Sequence, residues 1–310
     1  MPPPLHILDC PAPEPGGSLV ASLRGLLGWC QRPVAADELI AVSGVAALLP
    51  AAVHEPDPAA WPAYARDAFL VDAALHYGLV LRDLHPPDAA PLPAPPREFE
   101  WHFRDSYLPL IRAALAHQQP TLAWMGWPAP HARDWGVIIA CDSSGTCLGR
   151  LPGRGGDAVP LERAAVQCYV LTDAAGPLAP PGDRLHAALR RAADVLNNRL
   201  PARCGALTGP AAIERWRERL SGVAADDARA VLAVALRGAT QARQLAAEWL
   251  ARHAAVEAGA ALAATVVAMK ALWATLTSAG APPAAVRGDD LAALFDRWLA
   301  LERAAGETIA

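Results

Sequence analysis

The chain has 310 residues, of which 53% are hydrophobic and 19% charged, so it is long enough for one large or two modest domains and too apolar for general disorder. A formal net charge of −4 provides no basic field to hold a phosphate backbone, which argues against nucleic-acid binding. None of the 6 cysteines forms a C-x-x-C pair, which excludes zinc-ribbon and thioredoxin-type sites.

The amino-terminal residues do not have the features of a secretory signal. The opening Met1-Pro2-Pro3-Pro4 lacks a basic region and an apolar run. The most apolar stretch, 258–269, is shorter than the roughly 20 residues that cross a bilayer. We therefore expect a cytoplasmic protein with reduced thiols and no membrane partner. The abundance of alanine, glycine, proline and arginine is typical of GC-rich bacterial genomes.

The first predicted element after a Pro-rich leader, residues 1–15, is a buried helix. Leucines at 19, 23, 26 and 27 share one face, and Gly16-Gly17-Ser18 supplies a turn and a helix cap, so the helix should begin near Ser18. Further segments follow in chain order: helices over 36–49 and 62–77, a short strand over 79–81, a Pro-rich connection over 86–96, and a mostly helical stretch over 97–117.

Short runs rich in β-branched and aromatic residues then predict one antiparallel sheet. They cover 121–125, 135–140 and 165–171, and Asp142-Ser143-Ser144-Gly145 has the composition of a hairpin turn leading to a strand over 146–148.

The remainder of the chain is predicted to be entirely helical, with no strand after Pro181. The expected helices cover 182–200, 210–220, 226–253, 256–278 and 289–304, and a linker near 174–181 precedes them. The alanine-rich faces of two of these helices permit close packing inside one chain or a homo-oligomer interface.

Parts of the sequence resemble a known family. Several segments are similar to papain-like double-glycine-peptidase-like proteins, including the butirosin-biosynthesis acyltransferase group. These segments are residues 16–49, which contain Ser22 to Gly28 and Asp37 to Gly44, the segment Trp135 to Gly145, and the helical segments 209–220 and 242–250. The resemblance implies an α+β papain-like domain over 16–174 with an antiparallel sheet, followed by an α-helical bundle domain over 181–310. It also implies a cysteine nucleophile at the first helix, a histidine base on a strand and an aspartate that orients it.

The chain departs from that pattern at all three catalytic positions. The nucleophile position falls on Gly16, Gly17 or Ser18, the histidine position falls on Asp134, and the third position falls near Arg150 or Leu151. The resulting hypothesis is a catalytically degenerate protein that binds a peptide or an acyl-carrying partner in bacterial biosynthesis and needs no cofactor.

An active hydrolase or acyltransferase is the alternative. In it Ser18 or Cys10 attacks a carbonyl, His131 acts as general base, and Asp134 or Asp142 orients the imidazole. The simpler assignments are a helix cap for Ser18, a loop residue for Cys10, an exposed turn residue for His131 and solvated turn carboxylates for the aspartates. A second alternative is a structural protein whose helical bundle forms an oligomer.

Two further site hypotheses concern aromatic and metal-ligating residues. Trp124, Trp127 and Trp135 could line a ligand cleft together with Asp142, or they could form the core of the sheet. His131, Asp134, Cys141 and Cys147 include residue types that bind zinc, but no repeated ligand pair supports a metal site, and we predict none.

Overall fold

A computed structural model describes residues 17–49, 51–52, 67–84, 96–132, 134–142, 144–154, 157–199, 206–221, 225–277 and 288–310. The fold combines helices with an antiparallel sheet, which confirms the expected α+β class. The contacts divide the chain into two compact units, one containing Met1–Ala36 and Leu70–Ala179 and the other Asp37–Phe69 and Pro180–Ala310.

The helices are α1 Gly17–Trp29, α2 Ala36–Ser43, α3 Asp72–His76, α4 Pro96–His102, α5 Leu108–Ala116, α6 Pro181–Leu196, α7 Gly209–Leu220, α8 Ala225–Arg252, α9 Val256–Thr277 and α10 Gly288–Ile309. Shorter helical turns cover Val45–Ala47, Asp67–Val71 and Phe103–Tyr107. The strands are β1 Ala51–Ala52, β2 Val80–Asp83, β3 Thr121–Trp124, β4 Trp135–Cys141, β5 Cys147–Arg150, β6 Val159–Pro160, β7 Gln167–Asp173 and β8 Ala206–Leu207.

The main sheet belongs to the first unit and has the strand order β2-β7-β3-β4-β5-β6, with every neighbouring pair antiparallel. Side chains alternate between its two faces. One face packs under α4 and α5 in a core cluster that contains Ala123, Ile138 and Cys168.

The opposite face of the sheet follows from the strand register. Trp124 is paired with Trp135 and with Gln167, and Val137 is paired with Arg150, so these residues share a face. Because α4 and α5 cover the first face, α1, which packs against β4 and β3, lies on this second face.

Several sequence predictions need correction. The segment 36–49 is not one helix: α2 ends at Ser43 because Gly44 adopts a left-handed φ of 78°, and a short helical turn follows. The expectation of no strand after Pro181 is wrong, since β8 pairs with β1 through Ala51 and Leu207. The helical stretch 97–117 is divided at Phe103–Tyr107, where the backbone widens into a π-helical turn.

The core of the second unit lies among its long helices. Trp216, Leu232, Met269, Phe295 and Trp298 are buried there. The helix α9, which packs against α8 and α10, is also the single helix among the described residues that is long and apolar enough to cross a membrane.

The predicted domain limits, 1–15, 16–174 and 181–310, stay a prediction. The leader 1–15 lies outside the described residues. Within the described chain, the contacts group residues 37–69 with the helical unit.

Candidate functional site

The amino terminus of α1 meets the first residue of β4. The Oγ atom of Ser18 accepts a hydrogen bond of 3.0 Å from the backbone N–H of Trp135. Gly17 begins the helix with a φ of 73°, a left-handed conformation that glycine adopts readily. The expected start of the helix near Ser18 is therefore confirmed. The hydrogen bond of the serine connects the amino terminus of α1 to β4.

The hydrogen bond of Ser18 differs from the helix cap expected for it. A capping serine accepts from an amide two or three residues ahead in its own helix. Here the hydroxyl oxygen accepts from an amide 117 residues away in sequence. Ser18 therefore joins two elements of the first unit.

The turn before β4 holds an imidazole and a carboxylate together. His131 Nδ1 and Asp134 Oδ2 lie 2.8 Å apart, and both side chains are partly exposed, at 22% and 41%. Backbone bonds from His131 to Pro128 and from Asp134 to His131 fix the turn. The carboxylate orients the ring and favours the tautomer with the proton on Nδ1, which leaves Nε2 as the acceptor.

Ser18, His131 and Asp134 belong to one corner of the first unit, because Asp134 immediately precedes the residue that binds Ser18. The hydrogen bonds of the described residues join Ser18 to Trp135 and His131 to Asp134, and none joins Ser18 to His131. Removal of a hydroxyl proton requires the base within about 3 Å of the oxygen. A histidine and an aspartate are thus paired beside Ser18, and neither forms a hydrogen bond with it in the described part of the chain.

The remaining predicted site residues lie elsewhere. Cys10 lies outside the described residues. Asp142 is exposed in the turn after β4, and since that strand has 7 residues, it is about 20 Å from the Ser18 corner. Its carboxylate accepts hydrogen bonds from the Ser144 hydroxyl at 2.6 Å and the Thr146 amide at 2.9 Å.

These bonds give Asp142 a structural role in its hairpin. They lower the pKa of its carboxyl group, the Ser144 hydroxyl contributing most. Its backbone carbonyl also accepts a hydrogen bond from Arg112.

The three tryptophans proposed as a cleft wall are core residues of the sheet. Trp124 and Trp135 stack with ring centroids 6.3 Å apart on the face that carries Arg150. Trp127 lies on the other face, within the cluster under α4 and α5. All three are at most 2% exposed, so the structure supports the core assignment.

Cys141 and Cys147 are joined by a disulfide between paired positions of β4 and β5. The expectation of reduced thiols is therefore wrong for these two residues, whose places across a hairpin bring their Cα atoms to 4.2 Å. Among the described residues no group of three or more His, Cys, Asp or Glu side chains is arranged to hold a metal ion.

Sequence reasoning missed a set of buried polar groups on and beside the sheet. Arg150 Nε, Trp135 Nε1 and Ser22 Oγ are buried and have no hydrogen-bond partner among the residues that the structure describes. The only sequence signal was a charged residue at the end of a strand, which by itself is consistent with an exposed position. Gln167 and Tyr169 are also buried, and the Gln167 amide donates to the Tyr169 hydroxyl at 3.0 Å.

No protein-family model matches this chain, and comparison with curated proteins found no match.

Proposed function

We propose that the first unit is a papain-like domain without a working nucleophile and that the protein binds a peptide or an acyl-carrying partner. The observation that carries the proposal is the bond between Ser18 and Trp135. A serine stands at the start of the helix where the resemblance implies a reactive cysteine, and its oxygen is already engaged by a backbone amide.

The chemistry of this corner favours binding over covalent catalysis. A serine hydroxyl is a weak nucleophile unless a base removes its proton, and the bonded partner of Ser18 is a donor. His131 is hydrogen-bonded to Asp134. Asp134, not His131, occupies the position at which the resemblance implies the catalytic histidine. The choice of a peptide or acyl ligand follows from the resemblance.

A specific observation favours the alternative of an active serine hydrolase. The pair of His131 and Asp134 has the separation of the orienting half of a triad. A shift of the partly exposed imidazole toward Ser18 on ligand binding would complete the triad, because catalytic hydrogen bonds often tighten only in the substrate complex.

Active-site labelling separates the two functions. We expect a fluorophosphonate probe to leave Ser18 unlabelled in the native protein, as read by peptide mass spectrometry. Labelling at Ser18 that disappears in His131→Ala and persists in His186→Ala, a matched change at an exposed histidine, would establish the hydrolase instead.

Ligand binding is tested with two defined probes, a peptide ending in Gly-Gly and acetyl-pantetheine. Calorimetry should detect binding of one of them, and chromatography should recover that probe unchanged. Ser18→Trp, which places a bulky side chain at the corner, should abolish the binding, whereas Ser106→Trp on an exposed turn should not. Failure of both probes to bind would contradict the proposal.

A further inference from the structure

Arg150, the last residue of β5, is a buried cation with no counter-charge among the described residues. Only 4% of its surface is exposed, and its Nε–H has no hydrogen-bond partner. No ion pair or hydrogen bond involves its side chain within the described chain. A guanidinium carries a positive charge at neutral pH, so this arrangement places a largely buried charge inside the first unit.

The strand register places further unpaired donors beside it. Arg150 is opposite Val137, on the same face as Trp135 two residues away, and long side chains at such diagonal positions are within reach of each other. The indole Nε1–H of Trp135 is buried and also has no partner in the described ranges.

The helix on this face contributes a hydroxyl. Ser22 is one turn after Ser18, so it lies on the side of α1 that meets Trp135. Its side chain is fully buried, and its Oγ has no partner in the part of the chain that the structure describes. A guanidinium, an indole N–H and a hydroxyl, all largely buried, therefore lie on the side of the sheet that α1 covers.

We infer that this cluster binds an oxyanion, the carboxylate or phosphate group of a small ligand. Burying a charge is unfavourable unless it is paired and hydrogen-bonded, and removing water strengthens its attraction to an anion. All three groups can donate, and the planar guanidinium matches the paired oxygens of a carboxylate or a phosphate. A cation or an apolar group would leave these donors unsatisfied.

The inference does not depend on the proposed function. It rests on Arg150 and its neighbours, and it holds whether Ser18 is inert or reactive. Failure of the labelling or peptide experiments leaves it intact, and failure of the experiment below leaves the proposed function intact.

The direct test is the NMR signal of the Arg150 Nε–H in the full-length protein. The signal is assigned through its own side-chain couplings, so the measurement does not require a variant to fold. Sodium acetate and sodium phosphate are titrated separately at constant ionic strength, up to about 10 mM, which is tenfold above a millimolar Kd. We expect a saturable shift with at least one of them.

The two anions distinguish the source of the oxyanion. A response to acetate alone identifies a carboxylate, and a response to phosphate alone identifies a phosphate group. A response to both identifies a site that accepts either. No shift with either anion over this range overturns the proposal.

Variants provide a second measurement, the melting temperature with and without the anion that gives the shift. Arg150→Met removes the buried charge and keeps an unbranched apolar stem, so it should melt at or above the wild-type temperature and lose the anion-induced rise. Arg154→Met, the same change at an exposed position beyond β5, should keep the wild-type response. A full anion response in Arg150→Met would also overturn the proposal.

Discussion

At the scale of single residues, Trp127 shows how closely the sheet is packed. Its indole lies over two neighbouring glycines, Gly136 on β4 and Gly149 on β5. A Cβ on Gly136 would lie 2.6 Å from Trp127 Cζ2 and 2.9 Å from the Arg150 carbonyl oxygen. Glycine is therefore required at this position for space, because any side chain would displace the ring or the neighbouring strand.

Gly136→Ala should destabilise the first unit by about 1–3 kcal/mol, the usual cost of overpacking a core. Gly28→Ala is the control, since nothing lies within 4 Å of its added Cβ and alanine favours a helix. Urea unfolding followed by tryptophan fluorescence measures both. Equal stability of Gly136→Ala and wild type would mean that the indole is not fixed over the glycine.

The two free thiols that the structure describes, Cys30 and Cys168, should differ in reactivity from an exposed cysteine. Burial raises the pKa of Cys168 far above its ordinary value, with the charge of Asp83 adding to the effect. Burial also raises the pKa of half-buried Cys30, and Arg32 opposes that shift. A raised pKa lowers the thiolate fraction at every pH below it, and the thiolate is the reactive form.

We therefore expect iodoacetamide at pH 8 to leave Cys168 unmodified and to label Cys30 more slowly than free cysteine. Labelling of Cys30 should accelerate as the pH rises. Peptide mass spectrometry of the native and the urea-unfolded protein measures both sites. Modification of native Cys168 at the rate of the unfolded protein would contradict this prediction.

At the scale of elements, the sequence predicts regular segments far better than the contacts between them. The leucines of α1 repeat with the period of a helix, and the runs of β3, β4 and β7 are rich in β-branched and aromatic residues between turn residues, so these elements were found to within a few residues. The two-residue strands β1 and β8 have no period to detect. The bond between Ser18 and Trp135 joins residues 117 apart, and no local pattern encodes it.

The disulfide of the β4–β5 hairpin provides a prediction at this scale. Breaking the bond between Cys141 and Cys147 restores conformational freedom to the unfolded loop, so replacing both by serine should cost about 2 kcal/mol. Dithiothreitol should lower the stability of the wild type by a similar amount and leave the double variant unchanged. If dithiothreitol also destabilised the double variant, its effect on the wild type would not be due to reduction of the Cys141–Cys147 disulfide.

A buried ion pair between α8 and α10 leads to a second prediction about contacts between elements. Arg243 Nη1 and Glu302 Oε2 are 2.6 Å apart in the core, and Thr265 also accepts a hydrogen bond from the guanidinium. Glu302→Ala leaves the guanidinium without its counter-charge and should cost about 3–5 kcal/mol in urea unfolding. Asp296→Ala, which breaks the exposed pair with Arg217, should cost no more than about 1 kcal/mol.

At the scale of the whole molecule, each compact unit is assembled from two separate parts of the chain. Arg243 donates to the carbonyl oxygens of Ala46 and Ala47, and Arg184 pairs with Glu38, so α2 and the helical turn after it are bonded to the helical part. These bonds join parts of the chain that are far apart in sequence, since Arg243 and Ala46 are separated by 197 residues. The sequence resemblance instead placed α2 and this turn in the same domain as α1. That assignment rested only on their being adjacent to α1 in the sequence.

Hydrogen exchange on the full chain tests which unit α2 belongs to. We expect Glu302→Ala to lower the protection of amides in α2, α8 and α10 together, because loss of the counter-charge weakens the core that also holds Ala46 and Ala47. Amides of β3 and β7 in the first unit should keep their wild-type protection. Gly136→Ala should produce the opposite pattern, with protection lost in β3 and β7 and retained in α2. If α2 instead follows β3 and β7 in both variants, the division of the chain at residues 36 and 37 is incorrect.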